Sequence, residues 1–255
     1  MSWSRARCFI AVLVLAMLVA PAGAVIVPFD SAVGTSQDAT IYDAAPNNPI
    51  GVSYTALEVA GTYGVRSVLQ FDVNSLAGLY SSIDAITLRL NTSYNGGASI
   101  INIHEAASSW VESQVTWNSR STGSPWTTPG GDFLATVLGS IDTSTLAGSA
   151  SFDGVNEQLT VSLLSGAGNA AARKTLIDSW TSGSNEGLLL KKSTEPAAFF
   201  VGFRDRSRIA AERPLLTIDY TPVPEPTSLS LLGCGVAVLA LVRRRQGRFV
   251  SSRQA

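Results

Sequence analysis

The amino-acid sequence predicts an all-β protein, an antiparallel β-sandwich with one short helix. Apolar and polar residues alternate with a period of two, most clearly over 83–91, where Ile86, Leu88 and Leu90 share one face. Turn-forming Gly, Asn, Ser and Pro residues recur every 8 to 15 residues. This pattern favours a sandwich of short antiparallel strands over parallel βαβ units.

Ten short segments of the body are predicted to be strands. They are residues 39–43, 57–60, 65–71, 83–91, 99–104, 134–141, 159–163, 187–191, 199–203 and 215–220. We expect strands 57–60 and 65–71 to pair with each other around Gly61 and Gly64, because glycine suits a tight turn.

Two other segments depart from the strand pattern. Residues 170–180 are predicted to form the helix, with Asn169 as its cap and Gly183 ending it. Residues 119–132 are rich in Ser, Thr, Gly and Pro and are predicted to form a loop that carries Trp126.

The first 24 residues have the order of a secretory signal peptide. Arg5 and Arg7 precede an apolar run of 13 residues over 8–20, and the small residues Ala22 and Ala24 follow. This arrangement predicts cleavage before Val25 and export through the inner membrane. The exported body is then 25–222, which is long enough for one sizeable core.

The last part of the chain, 223–248, predicts a membrane anchor. Pro224, Glu225 and Pro226 end the polar body, 229–242 is free of charge, and three arginines come next, Arg243, Arg244 and Arg245. As a helix, the 16 residues of 227–242 extend only about 24 Å, against about 30 Å for a bilayer core. The arginines are expected to hold the far end, and the tail 249–255, in the cytoplasm.

This order of Pro-Glu-Pro, short apolar helix and arginine cluster resembles the PEP-CTERM sorting signal of Gram-negative bacteria. The resemblance implies an exosortase as partner and cleavage near Pro-Glu-Pro. The protein would then be held only transiently in the membrane, before transfer to the cell surface or the exopolysaccharide matrix. The alternative is an ordinary C-terminal anchor with a proline hinge.

The charge of the body argues against a nucleic-acid partner. All 19 acidic residues lie within 30–225 with only 11 of the 18 basic residues, so this part has a net charge of −8. Both cysteines, Cys8 and Cys234, lie in the removable ends, so the body has neither a disulfide nor a reactive thiol.

The most individual stretch of the body is 109–118, in which Trp110 and Trp117 flank Glu112. Together with several shorter stretches, it makes the body resemble the DNRLRE domains, which are related to carbohydrate-binding modules. The other matching stretches are 38–40, 66–71, 88–90, 180–188 and 213–215, and the Asp-Asn-Arg-Leu-Arg-Glu string that names the family is absent. The resemblance implies a jelly-roll-like, secreted and usually non-catalytic β-sandwich.

Three tryptophans are candidates for stacking on a sugar ring: Trp126, Trp110 and Trp117. Trp126 is the preferred candidate, because a large apolar ring in a polar loop is more typical of a binding residue than of a structural one. Trp110 and Trp117 also suit core packing. Glu112, placed between two tryptophans, is expected to form an ion pair with Arg66 or Arg89.

A calcium site is a further possibility in the N-terminal part of the body, where Asp30, Asp38 and Asp43 supply hard oxygen ligands. The alternative is that these residues serve turns. No other cofactor is expected, because His104 is the sole histidine and the body has no cysteine for a zinc site.

Taken together, the sequence predicts an exported, non-catalytic surface or matrix protein that binds extracellular polysaccharide. One alternative is a structural envelope protein without a specific ligand. Another is a polysaccharide hydrolase or lyase, for which Glu105 and Glu112 are the acidic residues nearest in sequence.

Overall fold

The computed structural model describes residues 23–50, 56–59, 64–147, 157–195 and 199–223. Contacts divide the chain into a body, 24–221, and a second unit made of 1–23 and 222–255. The predicted leader (except its last two residues), the Pro-Glu-Pro segment, the apolar run and the tail all lie outside the described residues. Within the described ranges, no helix has the length and apolar character needed to span a bilayer.

The described part of the body contains thirteen strands and one short α-helix. In chain order, β1 to β13 are Val25–Asp30, Gln37–Tyr42, Ala56–Val59, Val65–Gln70, Tyr80–Asn95, Ile100–Ala106, Ser119–Ser121, Ser124–Pro125, Phe133–Asp142, Glu157–Leu163, Leu188–Lys192, Val201–Arg204 and Leu215–Pro222. The helix, α1, is Ala170–Thr181. The predicted class, mainly antiparallel β-structure with one short helix, is confirmed.

Two sheets carry the fold. Sheet A has the order β1-β13-β5-β12-β3, with β10 also paired to the long strand β5. Sheet B has the order β2-β4-β11-β6-β9, and β7 and β8 form a separate small hairpin. Edge strand β1 pairs antiparallel with β13 from Val25 opposite Tyr220 to Asp30 opposite Leu215.

The main core lies between the two sheets, and a smaller core lies on the other side of sheet B. Leu69 and Leu188 belong to the main core, whereas their strand neighbours Val68 and Leu189 belong to the smaller one. Side chains of successive residues in a strand point to opposite faces, so the smaller core lies on the outer face of sheet B.

A covering segment, residues 107–132, closes this outer face. Trp110, Val115 and Trp126 come from the segment and pack with Ile41, Val68 and Leu189 of the sheet. Asp132 fastens the segment's ends, since its carboxylate accepts hydrogen bonds from Ser108 and from the Thr127 and Thr128 amides. Burial opposes ionisation of Asp132, but these hydrogen bonds outweigh it and lower the pKa of the carboxyl.

Two local predictions need correction, and strand β1 was missed. The predicted pairing of 57–60 with 65–71 is wrong, because β3 lies in sheet A beside β12, whereas β4 lies in sheet B. Helix α1 begins after Asn169, but the Asn169 side chain donates back to the Ser165 carbonyl and does not cap the helix. Strand β1 was not predicted, since VIVPFD lacks a clear alternation.

Candidate functional site

Trp110 and Trp126, two of the predicted sugar platforms, are core residues. Each side chain is only 4 % exposed. The ring nitrogen of Trp110 donates to the Glu186 carbonyl at 3.0 Å, and that of Trp126 donates to the Thr116 carbonyl at 2.9 Å. The expectation that Trp126 is exposed in a polar loop is therefore wrong, because the covering segment turns the ring onto sheet B.

Trp117 differs from the other two because it is only partly buried against the smaller core. Its ring lies against the backbones of Gly64 and Gly130, where an added Cβ atom would approach ring carbons to 2.5 Å and 2.8 Å. The guanidinium of Arg66 lies over the ring, 5.0 Å from its centre, which is within cation–π range. Glycine is thus needed at both positions to seat the ring.

Arg66 links Trp117 to a charged group on the outer face of sheet B. Its guanidinium donates to both carboxylate oxygens of Glu195, at 3.2 Å and 2.8 Å, and to the Gly130 carbonyl at 2.7 Å. Lys191 also pairs with Glu195 at 3.4 Å. We call Trp117, Arg66, Lys191, Glu195 and Phe133, whose ring lies 5.6 Å from the Arg66 guanidinium, the outer cluster.

The outer cluster combines the groups that sugar recognition needs. A partly exposed indole offers a flat apolar face, and the Arg66 and Lys191 side chains offer hydrogen-bond donors. Because Glu195 already engages both cations and their side chains are 13 % and 15 % exposed, the donors are held in place. Sequence reasoning singled out Trp117 and Arg66 separately, but nothing in their spacing pointed to Lys191, Glu195 or Phe133.

Glu112 forms the predicted ion pair with an arginine, but the partner is Arg206. The Arg206 guanidinium donates to the Glu112 carboxylate at 2.8 Å. Neither expected partner takes this role, since Arg66 binds Glu195 and Arg89 donates to backbone carbonyls. The pair ties the covering segment to the loop after β12.

Asp38 joins the same network. Its carboxylate accepts the Arg206 backbone N–H at 2.8 Å, and the side chain is 3 % exposed. Burial raises the pKa of Asp38 to about 7, and the nearby carboxylates of Asp205 and Glu112 act in the same direction. The hydrogen bond from Arg206 opposes this shift without cancelling it.

The three aspartates considered for calcium do not meet. Asp30 ends β1 in sheet A and pairs with Arg213 at 3.5 Å, whereas Asp38 lies in β2 of sheet B. Among the described residues, which include all three, no group of three or more His, Cys, Asp or Glu side chains could hold a metal ion. The expectation of a shared calcium site therefore has no geometric support here.

Glu105 and Glu112, the pair considered for hydrolysis, lie on opposite sides of sheet B. Glu112 belongs to the covering segment on the outer face. Glu105 is opposite Leu188, a residue of the main core, and accepts a hydrogen bond from the Trp180 indole at 3.3 Å. His104 is buried, with its Nδ1 3.0 Å from the Leu134 carbonyl, so Nδ1 carries the proton and the ring serves packing.

Comparison with known protein families bears on this arrangement. Residues 30–129 match the model of carbohydrate-binding module family 96. The match contains Arg66 and the three tryptophans, and it ends inside the covering segment. It confirms the resemblance to carbohydrate-binding modules, while strands β9 to β13, which complete both sheets, lie beyond the matched part.

A second family model matches the end of the chain. Residues 222–245 match the PEP-CTERM protein-sorting motif, which confirms the resemblance drawn from Pro224–Pro226 and Arg243–Arg245. The matched motif begins at residue 222, where β13, the last strand of the body, ends. No curated protein matches the chain.

Proposed function

We propose that this chain is a non-catalytic surface or matrix protein that binds extracellular polysaccharide through the outer cluster. The observation that carries the proposal is the match of 30–129 to a carbohydrate-binding module. Within that match, Trp117 is the one of the three named tryptophans whose ring is not buried. The polysaccharide would stack on Trp117 and accept hydrogen bonds from Arg66 and Lys191, on a jelly-roll-like sandwich.

The sorting motif supplies the second half of the proposal. Residues 1–24 act as a signal peptide, the body 25–222 is exported, and 223–248 hold it in the inner membrane until an exosortase cuts near Pro-Glu-Pro. The tail 249–255 stays in the cytoplasm. The position of strand β13 supports cleavage at Pro-Glu-Pro. The strand ends at Pro222 and is hydrogen-bonded to β1 and β5 within sheet A, so a cut beyond it would leave the sheet intact.

Binding is tested with the full chain in a polyoxyethylene detergent, which has no sugar head group, on affinity gels of neutral, acidic and amino polysaccharides. Trp117→Ala should weaken retention about tenfold or more, the usual size of effect for a central interface tryptophan. A chelator added in a parallel run tests for calcium. Retention that is the same for Trp117→Ala and wild type would exclude the outer cluster as the site.

The matched control replaces a buried tryptophan conservatively. Trp126→Phe keeps an aromatic ring in the smaller core, so we expect it to bind like the wild type once its folding is verified by thermal melting. Trp126→Ala is a poor test, because loss of a buried tryptophan side chain costs about 3–5 kcal/mol and would remove binding by unfolding. If no gel retains the wild-type chain, the structural alternative without a ligand takes the place of this proposal.

Sorting is tested separately in cells. Replacing Pro224, Glu225 and Pro226 by alanine should leave full-length protein in the membrane. Processed protein in the medium at the wild-type level would show that the exosortase does not use this segment, and the ordinary-anchor interpretation would then hold.

A further inference from the structure

A cleft of about 400 Å³ lies between helix α1 and strand β9, away from the outer cluster. Its volume falls within the range of small-ligand sites, about 300–1,000 Å³. The helix wall has residues at positions i, i+3, i+4 and i+7 of one face, and the strand wall has alternate residues of one face. These walls are, respectively, Ala172, Thr175, Leu176 and Ser179, and Leu134, Thr136 and Leu138.

Glu105 projects into this cleft from a position where the strand pattern calls for an apolar residue. Ile101 and Ile103 precede it on the same face of β6, and both are fully buried in the main core. The register of β6 against β9 shifts at this point: the two steps from His104 to Ala106 correspond to four steps from Val137 to Phe133, so the bulge lies in β9, opposite Glu105. Bulges of this kind re-aim a side chain and are common beside binding sites.

Within the described ranges, the Glu105 carboxylate forms no ion pair. One oxygen accepts the Trp180 indole N–H at 3.3 Å, and the described part of the chain gives the other oxygen no hydrogen bond. The described residues that line the cleft include no basic side chain. Partial burial raises the pKa of this carboxyl, and the hydrogen bond from the Trp180 N–H opposes the shift. Ionisation of Glu105 is therefore unfavourable in the free protein, and a bound cation would stabilise the ionised form.

The floor of the cleft shows a second departure from ordinary local structure. Leu164 has a φ of +50°, in the left-handed region that non-glycine residues rarely adopt. Its amide donates to the Leu138 carbonyl at 2.7 Å, which holds the strained residue against β9. Strained residues of this kind cluster at ligand sites.

We infer that this cleft is a second subsite, for a sugar residue with a free amino group in the polysaccharide chain. The inference rests on the proposed function, since the polymer is the one the outer cluster binds. The ammonium group complements Glu105, the Thr136 and Thr175 hydroxyls meet the sugar hydroxyls, and the leucines pack against its C–H face. An acidic sugar is excluded by repulsion from Glu105, and the net charge of −8 over 30–225 attracts cationic polymers.

The test measures binding of three tetrasaccharides to the full chain at pH 6.5 by calorimetry: one of glucosamine, one of glucose and one of galacturonate. We expect the glucosamine oligomer to bind at least tenfold more tightly than the glucose oligomer, and the galacturonate oligomer to bind most weakly. Glu105→Gln keeps the shape and the acceptor for Trp180, and it should abolish the preference for glucosamine. Thr175→Lys places a competing cation at the exposed mouth and should do the same, whereas Ala171→Lys, exposed on α1 outside the cleft, should not.

The outcomes separate this inference from the proposed function. If glycans bind in a Trp117-dependent way but Glu105→Gln leaves the glucosamine preference unchanged, the cleft is not the subsite and the proposed function stands. If glucose and glucosamine oligomers bind equally, the inference is also overturned. If no oligomer or polymer binds, both fail together.

Discussion

The buried carboxyl of Asp38 makes the stability of the body depend on pH in an unusual direction. Its pKa is about 7 in the folded protein, against 3.8 for an unperturbed aspartate. Between these two values the folded state holds a proton that the unfolded state has lost. The unfolding free energy therefore falls as the pH rises through this window, by about 1.4 kcal/mol per pH unit and about 4 kcal/mol in total.

Asp38→Asn should remove this dependence. The asparagine is neutral and nearly the same size, and its side-chain oxygen can still accept the Arg206 N–H that Asp38 accepts at 2.8 Å. At pH 8 the variant should be more stable than the wild type by up to about 4 kcal/mol, and at pH 4 the two should differ little. For a domain of this size, that corresponds to about 2–4 °C in melting temperature per kcal/mol.

Urea unfolding at each pH unit from 4 to 8 measures the effect. The quantity to follow is the difference between variant and wild type, because Glu58 adds a similar slope to both. Burial raises the pKa of Glu58 from 4.5 to about 7, so Glu58→Gln is a second, independent variant of the same kind. A difference between Asp38→Asn and wild type that stays constant from pH 4 to pH 8 would refute the assignment of the slope to Asp38.

Three further predictions concern the body. Lys192 is 1 % exposed and burial lowers its pKa, so stability should rise with pH from that lowered value to 10.5. Lys192→Met should remove the rise and unfold at no lower urea concentration than wild type at pH 7; an earlier midpoint would contradict this. Gly187→Ala should lower the unfolding free energy measured in urea by more than about 3 kcal/mol, because the added Cβ would lie 2.1 Å from a backbone oxygen at a φ of +83°. In the control Gly166→Ala the added Cβ has open space, so only the φ strain of about 1–2 kcal/mol is expected. Arg66→Lys should lower the unfolding free energy by about 1–2 kcal/mol, since lysine cannot reproduce the two parallel hydrogen bonds to Glu195; an unchanged melting temperature would show that the bidentate pair adds nothing.

Much of the secondary structure is encoded in the local sequence pattern. Burial of one face of a strand requires apolar and polar residues to alternate, and this alternation is visible in the sequence. Residues 83–91, for example, lie inside β5, Tyr80–Asn95. The pairing of strands is encoded less well. A short connection with glycines predicts a hairpin, yet 56–59 and 65–70 enter different sheets. In a sandwich, a short connection can equally cross from one sheet to the other, and local sequence does not distinguish the two cases.

Site prediction succeeded where a single residue's own chemistry demanded a partner and failed where the partner had to be chosen. Glu112 was expected to pair with an arginine because a carboxylate among tryptophans needs a counter-charge. The arginine that supplies it, Arg206, is 94 residues away in sequence. The residues next to Glu112 and Arg206 in sequence do not indicate that the two side chains meet. Their network with Asp38 forms only because β2 packs against the loop after β12.

The covering segment explains both the failed and the surviving tryptophan predictions. Its sequence is polar, so Trp126 looked like an exposed ring, but a polar segment laid across an apolar sheet face must still bury that face, and Trp110 and Trp126 do so. Trp117 and Phe133 pack only partly against the same core, which places them at its rim. The rim is where an aromatic ring can contact both the folded body and a ligand, so the burial of the central tryptophans leaves Trp117 as the ring on which the proposed glycan binding rests.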